Sequence, residues 1–186
     1  MKTKLSIVLL FILTSAISNA QFYKAVLPSP EFTTALEKVV LDFRFNFENI
    51  KGSSLADEGD VRTFESSVNL PGAKQCLIRY FNSLQDTTAS WQAIMYDGED
   101  YKEAKKVYEN AFRLVKKSQI KWIDKSLKGF TGELEAPKEA VRFTLSTLNF
   151  DLDDEKYKRF LAEVEMVSTY SGWVVHLNLH AKSEKQ

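Results

Sequence analysis

Histidine is the first residue type to consider for chemistry, and the two histidines of this chain, His176 and His180, lie four positions apart. On a helix this spacing would bring both side chains onto one face, where they could hold a metal ion. The surrounding residues, 173–181, instead alternate between apolar and polar types, which is typical of a β-strand. A strand separates the two histidines by four rises of about 3.3 Å, about 13 Å in all, which is too far to share one zinc ion. We therefore predict no metal site, and we expect both imidazoles to be solvated on an exposed sheet face.

Cys76 is the only cysteine, so no disulfide can form within one molecule. Residues 75–80 alternate in a strand pattern that places Cys76, Ile78 and Tyr80 on one face. A thiol becomes reactive when a base or a positive charge lowers its pKa, and the sequence offers no such neighbour. We predict a buried, unreactive thiol, with a reactive thiol or an intermolecular bridge as the alternative.

Two acidic runs, at residues 97–100 and 151–155, contain the carboxylates that calcium prefers as ligands. Neither run has the ordered ligand spacing of a calcium loop, so we predict a helix start at the first and a turn at the second. The chain also lacks the glycine-rich phosphate loops and the G-x-S-x-G nucleophile motif. Although its 25 acidic residues could supply a catalytic pair, nothing in the sequence selects one. We assign no catalytic residue, and we keep a hydrolase without a recognisable motif as an alternative function.

Aromatic side chains are abundant, with 13 Phe, seven Tyr and three Trp. The simplest interpretation is that they fill the core. An alternative is an apolar pocket between helices and sheet that carries a small apolar ligand. The candidate ligand-binding residues of such a carrier are Phe43, Phe47, Tyr108, Phe112 and Trp122. A third interpretation is a protein-binding patch anchored by Trp91, Trp122 or Trp173.

Two amphipathic helices are expected to position these residues, and the first begins at Pro30. Ser29 is a suitable N-cap, and proline is favoured in the first turn of a helix. Apolar residues then recur at spacings of three and four up to Ile50, and Gly52 is well placed to end the helix. Residues 41–48 also alternate as a strand would, and we prefer the helix because a second segment matches this one.

The second helix is predicted over residues 99–118, with acidic residues at its start and basic residues at its end. Six residues of the first helix match six residues of this one at a constant offset of 69 positions. Val39 matches Tyr108 in this way, and Phe43 matches Phe112. We infer an internal duplication from this offset.

Short alternating segments separated by turn residues follow each helix and predict an antiparallel sheet. The predicted strands are residues 61–69, 75–81, 90–96, 129–134, 140–150, 160–170 and 173–182. This gives the order α-β-β-β then α-β-β-β-β, with repeat halves at residues 30–97 and 98–182. An antiparallel sheet commonly has one covered face, which two amphipathic helices can supply. The predicted fold class is α+β, with two layers: an antiparallel β-sheet packed by two amphipathic helices.

Residues 1–20 have the pattern of a secretory signal peptide, with two early lysines, an apolar run and small residues ending at Ala20. We expect cleavage between Ala20 and Gln21, leaving one α+β domain over residues 21–186. An uncleaved N-terminal anchor is the alternative. The apolar run is shorter than the roughly 20 residues of a spanning helix, so we expect no stable membrane span in the mature chain. The protein is then periplasmic or secreted.

The charge balance argues against nucleic acid as a partner. The 25 basic and 25 acidic residues cancel, and loss of the two lysines with the signal peptide leaves 23 against 25, a net charge of −2. The sequence therefore predicts a soluble, exported binding or structural module without catalytic activity. Its partner is expected to be a protein or an envelope component, and no cofactor is expected.

Overall fold

Two α-helices and nine β-strands make up the part of the chain that the computed structural model describes, residues 27–81 and 89–182. In chain order they are α1 (Pro30–Asp42), β1 (Lys51–Asp57), β2 (Val61–Ser66), β3 (Gln75–Phe81), β4 (Ala89–Gly98), α2 (Tyr101–Lys117), β5 (Gln119–Lys121), β6 (Leu127–Gly132), β7 (Phe143–Phe150), β8 (Phe160–Thr169) and β9 (Gly172–Ala181). The expected signal peptide and its cleavage point lie outside the described residues.

The nine strands form one sheet in the order β1-β2-β3-β4-β9-β8-β7-β6-β5, and every neighbouring pair is antiparallel. The first four strands follow one another across one half of the sheet, and the last five do so across the other half. The two halves meet where β4 pairs with β9. The antiparallel α+β prediction is confirmed.

Helix α1 begins as predicted but ends earlier. The Ser29 side chain accepts a hydrogen bond from the Phe32 N–H at 3.2 Å, and proline occupies the first turn. The helix ends at Asp42, because Asn46 and Phe47 adopt left-handed backbone angles, with φ of 56° and 61°. The apolar spacing continues past the end of the helix, so Phe47 is still fully buried.

The segment after α1 is neither the helix nor the strand that its pattern suggested. It consists of two short 3-10 turns, Phe43–Phe45 and Glu48–Ile50, and Gly52 belongs to β1 instead of ending a helix. The Asp42 carboxylate fixes this corner by accepting hydrogen bonds from the backbone N–H of Asn49 at 3.1 Å and from its side chain at 2.7 Å. Such local side-chain bonds compete with the helical ladder, and sequence spacing alone does not show them.

Helix α2 follows the prediction closely. The Asp100 side chain caps it, accepting from the N–H groups of Lys102 at 2.7 Å and Glu103 at 3.2 Å. Its buried residues form one stripe: Ala104, Tyr108, Ala111, Phe112 and Val115. Within the described ranges, neither helix is long and apolar enough to cross a membrane.

The strand count differs from the prediction, which missed β1 and β5. Both are edge strands: β1 is largely exposed, and β5 has only three residues. An exposed strand has little apolar alternation for a sequence pattern to detect. The outer edge of β5 is capped by α1, because the Glu37 side chain accepts a hydrogen bond from the Lys121 N–H at 2.7 Å.

One hydrophobic core cluster includes the buried residues of both helices and alternate residues of the strands. Its aromatic part is centred on Tyr157, in the 3-10 turn Glu155–Tyr157, whose ring packs against Phe43 at 5.3 Å, Trp122 at 4.9 Å and Phe160 at 5.5 Å between ring centroids. The Tyr157 hydroxyl donates to the Val40 carbonyl at 2.8 Å, which ties this turn to the last turn of α1.

Candidate binding surface

The central strands present two different faces, as the alternation of β9 predicts. Val175, Leu177 and Leu179 are fully buried, whereas His176 and His180 between and after them are partly exposed. We call the residues of β3, β4, β7, β8 and β9 that alternate with core residues the outer face. The registers of these five strands fix which side chains of the outer face are neighbours.

Each histidine of the outer face is paired with a glutamate of β8. His176 Nδ1 lies 2.6 Å from Glu165 Oε1, and His180 Nε2 lies 2.9 Å from Glu163 Oε2. All four side chains are only 20 to 28% exposed. The expectation that both imidazoles are simply solvated is therefore wrong, because each is partly buried and held by a carboxylate.

A second polar chain crosses three strands of the outer face. Arg79 Nη1 on β3 donates to Gln92 Oε1 on β4 at 2.6 Å, and Gln92 Nε2 donates to Asn178 Oδ1 on β9 at 2.8 Å. Asn178 is directly opposite Glu163 in the register of β9 and β8. The arginine chain and the histidine–glutamate pairs thus occupy adjacent rows of the outer face.

An apolar row borders this polar surface at one end. The register places Phe143 of β7 opposite Val167 of β8, and Val167 opposite Val174 of β9. Phe143 is 52% exposed, and the two valines are partly exposed. A phenylalanine that exposes half its surface next to other apolar side chains is the kind of feature that marks interaction sites.

We predict that the pKa of His180 lies above the ordinary value of about 6.5. Burial opposes the charged imidazolium, but the hydrogen bonds to Glu163 and to the Ala181 carbonyl and the charges of Glu163 and Glu165 together outweigh burial. This pair should therefore stabilise the fold fully below pH 6.5, and the contribution should disappear as the pH rises through the higher folded pKa. An NMR titration of the imidazole checks the shift.

Glu163→Gln should lower the pKa of His180, because the variant removes the charge and leaves burial in place. Its loss of unfolding free energy relative to the wild type should be larger at pH 6 than at pH 9. Glu65→Gln, at an exposed position of β2, is the matched control. A His180 pKa at or below 6.5 in the wild type would contradict the prediction.

The five residues predicted to hold an apolar ligand lie in or against the core. Phe43 and Phe47 are buried and contact each other with ring centroids 5.8 Å apart. The ring of Tyr157 lies against both Phe43 and Trp122. Tyr108 and Phe112 are buried on α2, and Tyr108 shares a 2.5 Å hydrogen bond with Ser146. None of the five residues lines the surface depression beside Cys76 or the one beside Phe143.

Cys76 and the acidic runs match their predictions. Cys76 is 3% exposed, and burial raises the pKa of its thiol, as expected of an unreactive cysteine. A depression of about 490 Å³ beside it is lined mainly by polar side chains, including Lys74 and Asp97. The first acidic run caps α2, and the second leads into the turn Glu155–Tyr157. Among the described residues, no three His, Cys, Asp or Glu side chains are grouped so as to hold a metal ion.

Sequence reasoning missed the partners of the histidines, although a usable signal was present. The turn between β8 and β9 pairs Thr169 with Gly172. Four residues away from the turn on each strand, the same register places Glu165 opposite His176. The pairing of Arg79 with Gln92 had no such signal, because β3 and β4 are joined by a longer connection.

No protein-family model matches this chain, and neither a curated protein nor a solved structure is significantly similar to it.

Proposed function

We propose that this chain is an exported, non-catalytic binding module whose outer face holds a protein partner of the periplasm or the extracellular space. The observation that supports the proposal most strongly is the composition of that face, where linked polar side chains border a partly exposed apolar row. Protein interfaces combine apolar anchors with a polar surround in this way. The hydrogen bonds hold the polar side chains in place before binding, which lowers the entropic cost of association.

The proposed architecture has two layers, with both helices on the face opposite the outer face. It is supported by the single core cluster, which contains buried residues of α1, of α2 and of the inward side of the strands.

The proposed internal duplication is supported by the order of the strands, which is nearly mirrored about the β4–β9 pair. Each half begins with a helix and continues as a set of sequential antiparallel strands, four in the first half and five in the second. Val39 and Tyr108, which match at the 69-residue offset, are both fully buried. The duplication would place the last strand of each half at the centre of the binding surface.

Site-specific photo-crosslinking tests the binding proposal. A photoreactive amino acid is placed at Thr147 or Val174 on the outer face, and at Lys102 on the exposed side of α2 as the control. After incubation with extracytoplasmic extract of the source cells, we expect one protein product from the two outer-face positions, removed by excess unmodified protein. A product from Lys102 alone, or no product from any position, would overturn the proposal.

Export is proposed from the signal-peptide pattern, with cleavage between Ala20 and Gln21. Denaturing mass spectrometry of the protein recovered from the extracytoplasmic fraction should give a mass lacking residues 1–20. A protein that stays in the cytoplasm, or a mass that retains these residues, would contradict this. Native mass spectrometry of the same sample tests the carrier alternative, which requires a few hundred daltons of ligand lost on denaturation.

A further inference from the structure

The edge of β7 is open over its first residues. Strand β8 pairs with β7 from Phe143 onward, but β6 pairs with β7 only from Leu148, opposite Gly132, to Phe150. Among the described strands, the first half of β7 therefore has a neighbour on one side only. This open stretch lies inside the strand order of the sheet, beside the apolar row of the outer face.

The register identifies the backbone groups that point to the open side. The Ser168 N–H donates to the Arg142 carbonyl at 2.7 Å, so Arg142 faces β8 and, by alternation, Thr144 does too. The N–H and C=O groups of Phe143 and Leu145 therefore point away from β8. Among the described residues, no backbone or side-chain group forms a hydrogen bond with them. Exposed donors and acceptors of this kind are a template for another strand.

The segment after β6 leaves the plane of the sheet instead of continuing the ladder. The Glu135 N–H donates to the Ser146 hydroxyl at 2.8 Å, and Ser146 is a buried residue of the core side. The buried Pro137 is tied to α2, because its carbonyl accepts from the Tyr101 hydroxyl at 2.9 Å. The segment thus passes on the core side of β7 and does not cover the edge.

A depression of about 310 Å³ lies between this segment and the open edge. Apolar side chains of Val141, Phe143 and Leu145 form part of its lining, and Glu135 and Lys138 carry the charges there. Val141 and Phe143 are 44% and 52% exposed. The depression therefore offers backbone hydrogen-bonding groups and apolar contacts together.

We propose that the edge at Phe143 and Leu145 is a strand-addition site, at which an extended peptide segment of the protein partner pairs with β7. This inference rests on the proposed binding function and specifies how the partner is held. Only another peptide backbone offers both N–H and C=O groups at the two-residue repeat of a strand edge, about 6.6 Å. Backbone pairing gives the affinity in such complexes, and alternate side chains give the specificity. The partner segment should be antiparallel to β7, with an apolar residue beside Phe143.

Amide hydrogen exchange tests the open edge. In the free full-length protein, the Phe143 and Leu145 amides should exchange at least about a hundredfold faster than the Thr144 amide, because only Thr144 is bonded to β8. The probe is the acetylated and amidated peptide Lys-Thr-Val-Thr-Val-Thr-Glu. Adding it should slow exchange of Phe143 and Leu145 and leave the edge strand β1 unaffected. Slow exchange of both amides without peptide would overturn the proposal.

Leu145→Pro is the decisive variant, because proline is tolerated where a strand N–H points outward and it removes only that donor. Leu145→Ala is the matched control, since it shortens the side chain and keeps the N–H. We expect Leu145→Pro to weaken binding of the probe about tenfold or more, and Leu145→Ala to weaken it by less than about threefold. Equal affinities for the two variants would overturn backbone pairing, as would protection of β1 in place of β7.

Leu145→Pro also carries a folding control, the exchange of the Ser146 amide. If the Ser146 amide loses protection in Leu145→Pro, the variant is replaced in the test by the wild-type protein with a probe whose alternate amides are N-methylated. Full binding of the methylated probe would overturn the proposal. A dimer of this chain that protects Phe143 and Leu145 would overturn the assignment to a separate partner. Crosslinks from Val174 without binding of the probe would reject strand addition and leave the proposed function standing.

Discussion

Replacing Tyr157 with alanine should lower the free energy of unfolding by about 4 kcal/mol. Tyr157 is 1% exposed and packs against Phe43, Trp122 and Phe160, so its removal leaves a cavity that these rings cannot all move to fill. The variant also loses the hydrogen bond to the Val40 carbonyl at the end of α1. Denaturant unfolding, followed by tryptophan fluorescence, measures the loss.

Tyr157→Phe is the control that separates packing from the hydrogen bond. It keeps the ring and removes the hydroxyl, so we expect a loss of only about 1 kcal/mol. If Tyr157→Ala and Tyr157→Phe lower the free energy of unfolding equally, packing of the ring contributes little and the hydrogen bond of the hydroxyl accounts for the loss. An alanine variant as stable as the wild type would contradict the packing described for this turn.

Gly172→Ala should lower the free energy of unfolding by about 3 kcal/mol. Gly172 begins β9 with φ of 135°, a conformation that residues with a side chain rarely adopt. A Cβ atom there would lie 2.4 Å from the Gly98 carbonyl oxygen and 2.8 Å from the Glu99 Cα. Both are backbone atoms, the first at the end of β4 and the second in the link to α2, so neither can rotate away as a side chain would.

Ser171→Ala, one position away in the same turn, is the matched control and should change stability by less than about 0.5 kcal/mol. Denaturant unfolding of both variants at one pH gives the comparison. Equal stability of Gly172→Ala and the wild type would show that the hairpin can shift away from Gly98 without cost. If Gly172→Ala and Ser171→Ala lose the same free energy of unfolding, the loss comes from a general effect on the turn and not from the contact of Cβ with Gly98.

The elements that could be predicted from the sequence are those whose local signals agree. Helix α2 has an acidic cap, a clear apolar stripe and a basic end, and it was predicted to within two residues at its start and one at its end. Proline and glycine at positions 71 and 72, between two of the predicted strands, likewise favour a turn, and the turn closes with the Ala73 N–H donating to the Leu70 carbonyl at 3.0 Å. Local chemistry was sufficient at these positions.

The prediction was wrong where tertiary contacts override a local pattern. The apolar spacing through Phe47 resembles a helix, but Asp42, Asn46 and Asn49 form bonds that hold the chain in a corner. Asn46 also reaches across the fold, since its side chain accepts from the Ala89 N–H at 2.6 Å. The spacing of apolar residues along the sequence cannot indicate a contact between residues 43 positions apart.

The candidate binding surface could be predicted only in part. Alternation identified His176 and His180 as outward residues, but the outer face also depends on which strands become neighbours. Arg79 and Gln92 are joined to Asn178 only because β4 pairs with β9, which the two separate runs of strands do not reveal. The open edge of β7 was likewise beyond prediction, because it reflects where β6 stops pairing.

The pairing of β4 with β9 also sets the order of events during folding. Trp91 lies opposite Leu179, 88 positions later in the chain, whereas most other strand pairs join near neighbours in sequence. Local pairs form early, and contacts of high sequence separation form late and slowly. During synthesis, the edge of β4 that pairs with β9 therefore stays unpaired until β9 has been made. We therefore expect the nascent chain to be most prone to aggregation, and most in need of a chaperone, during that interval.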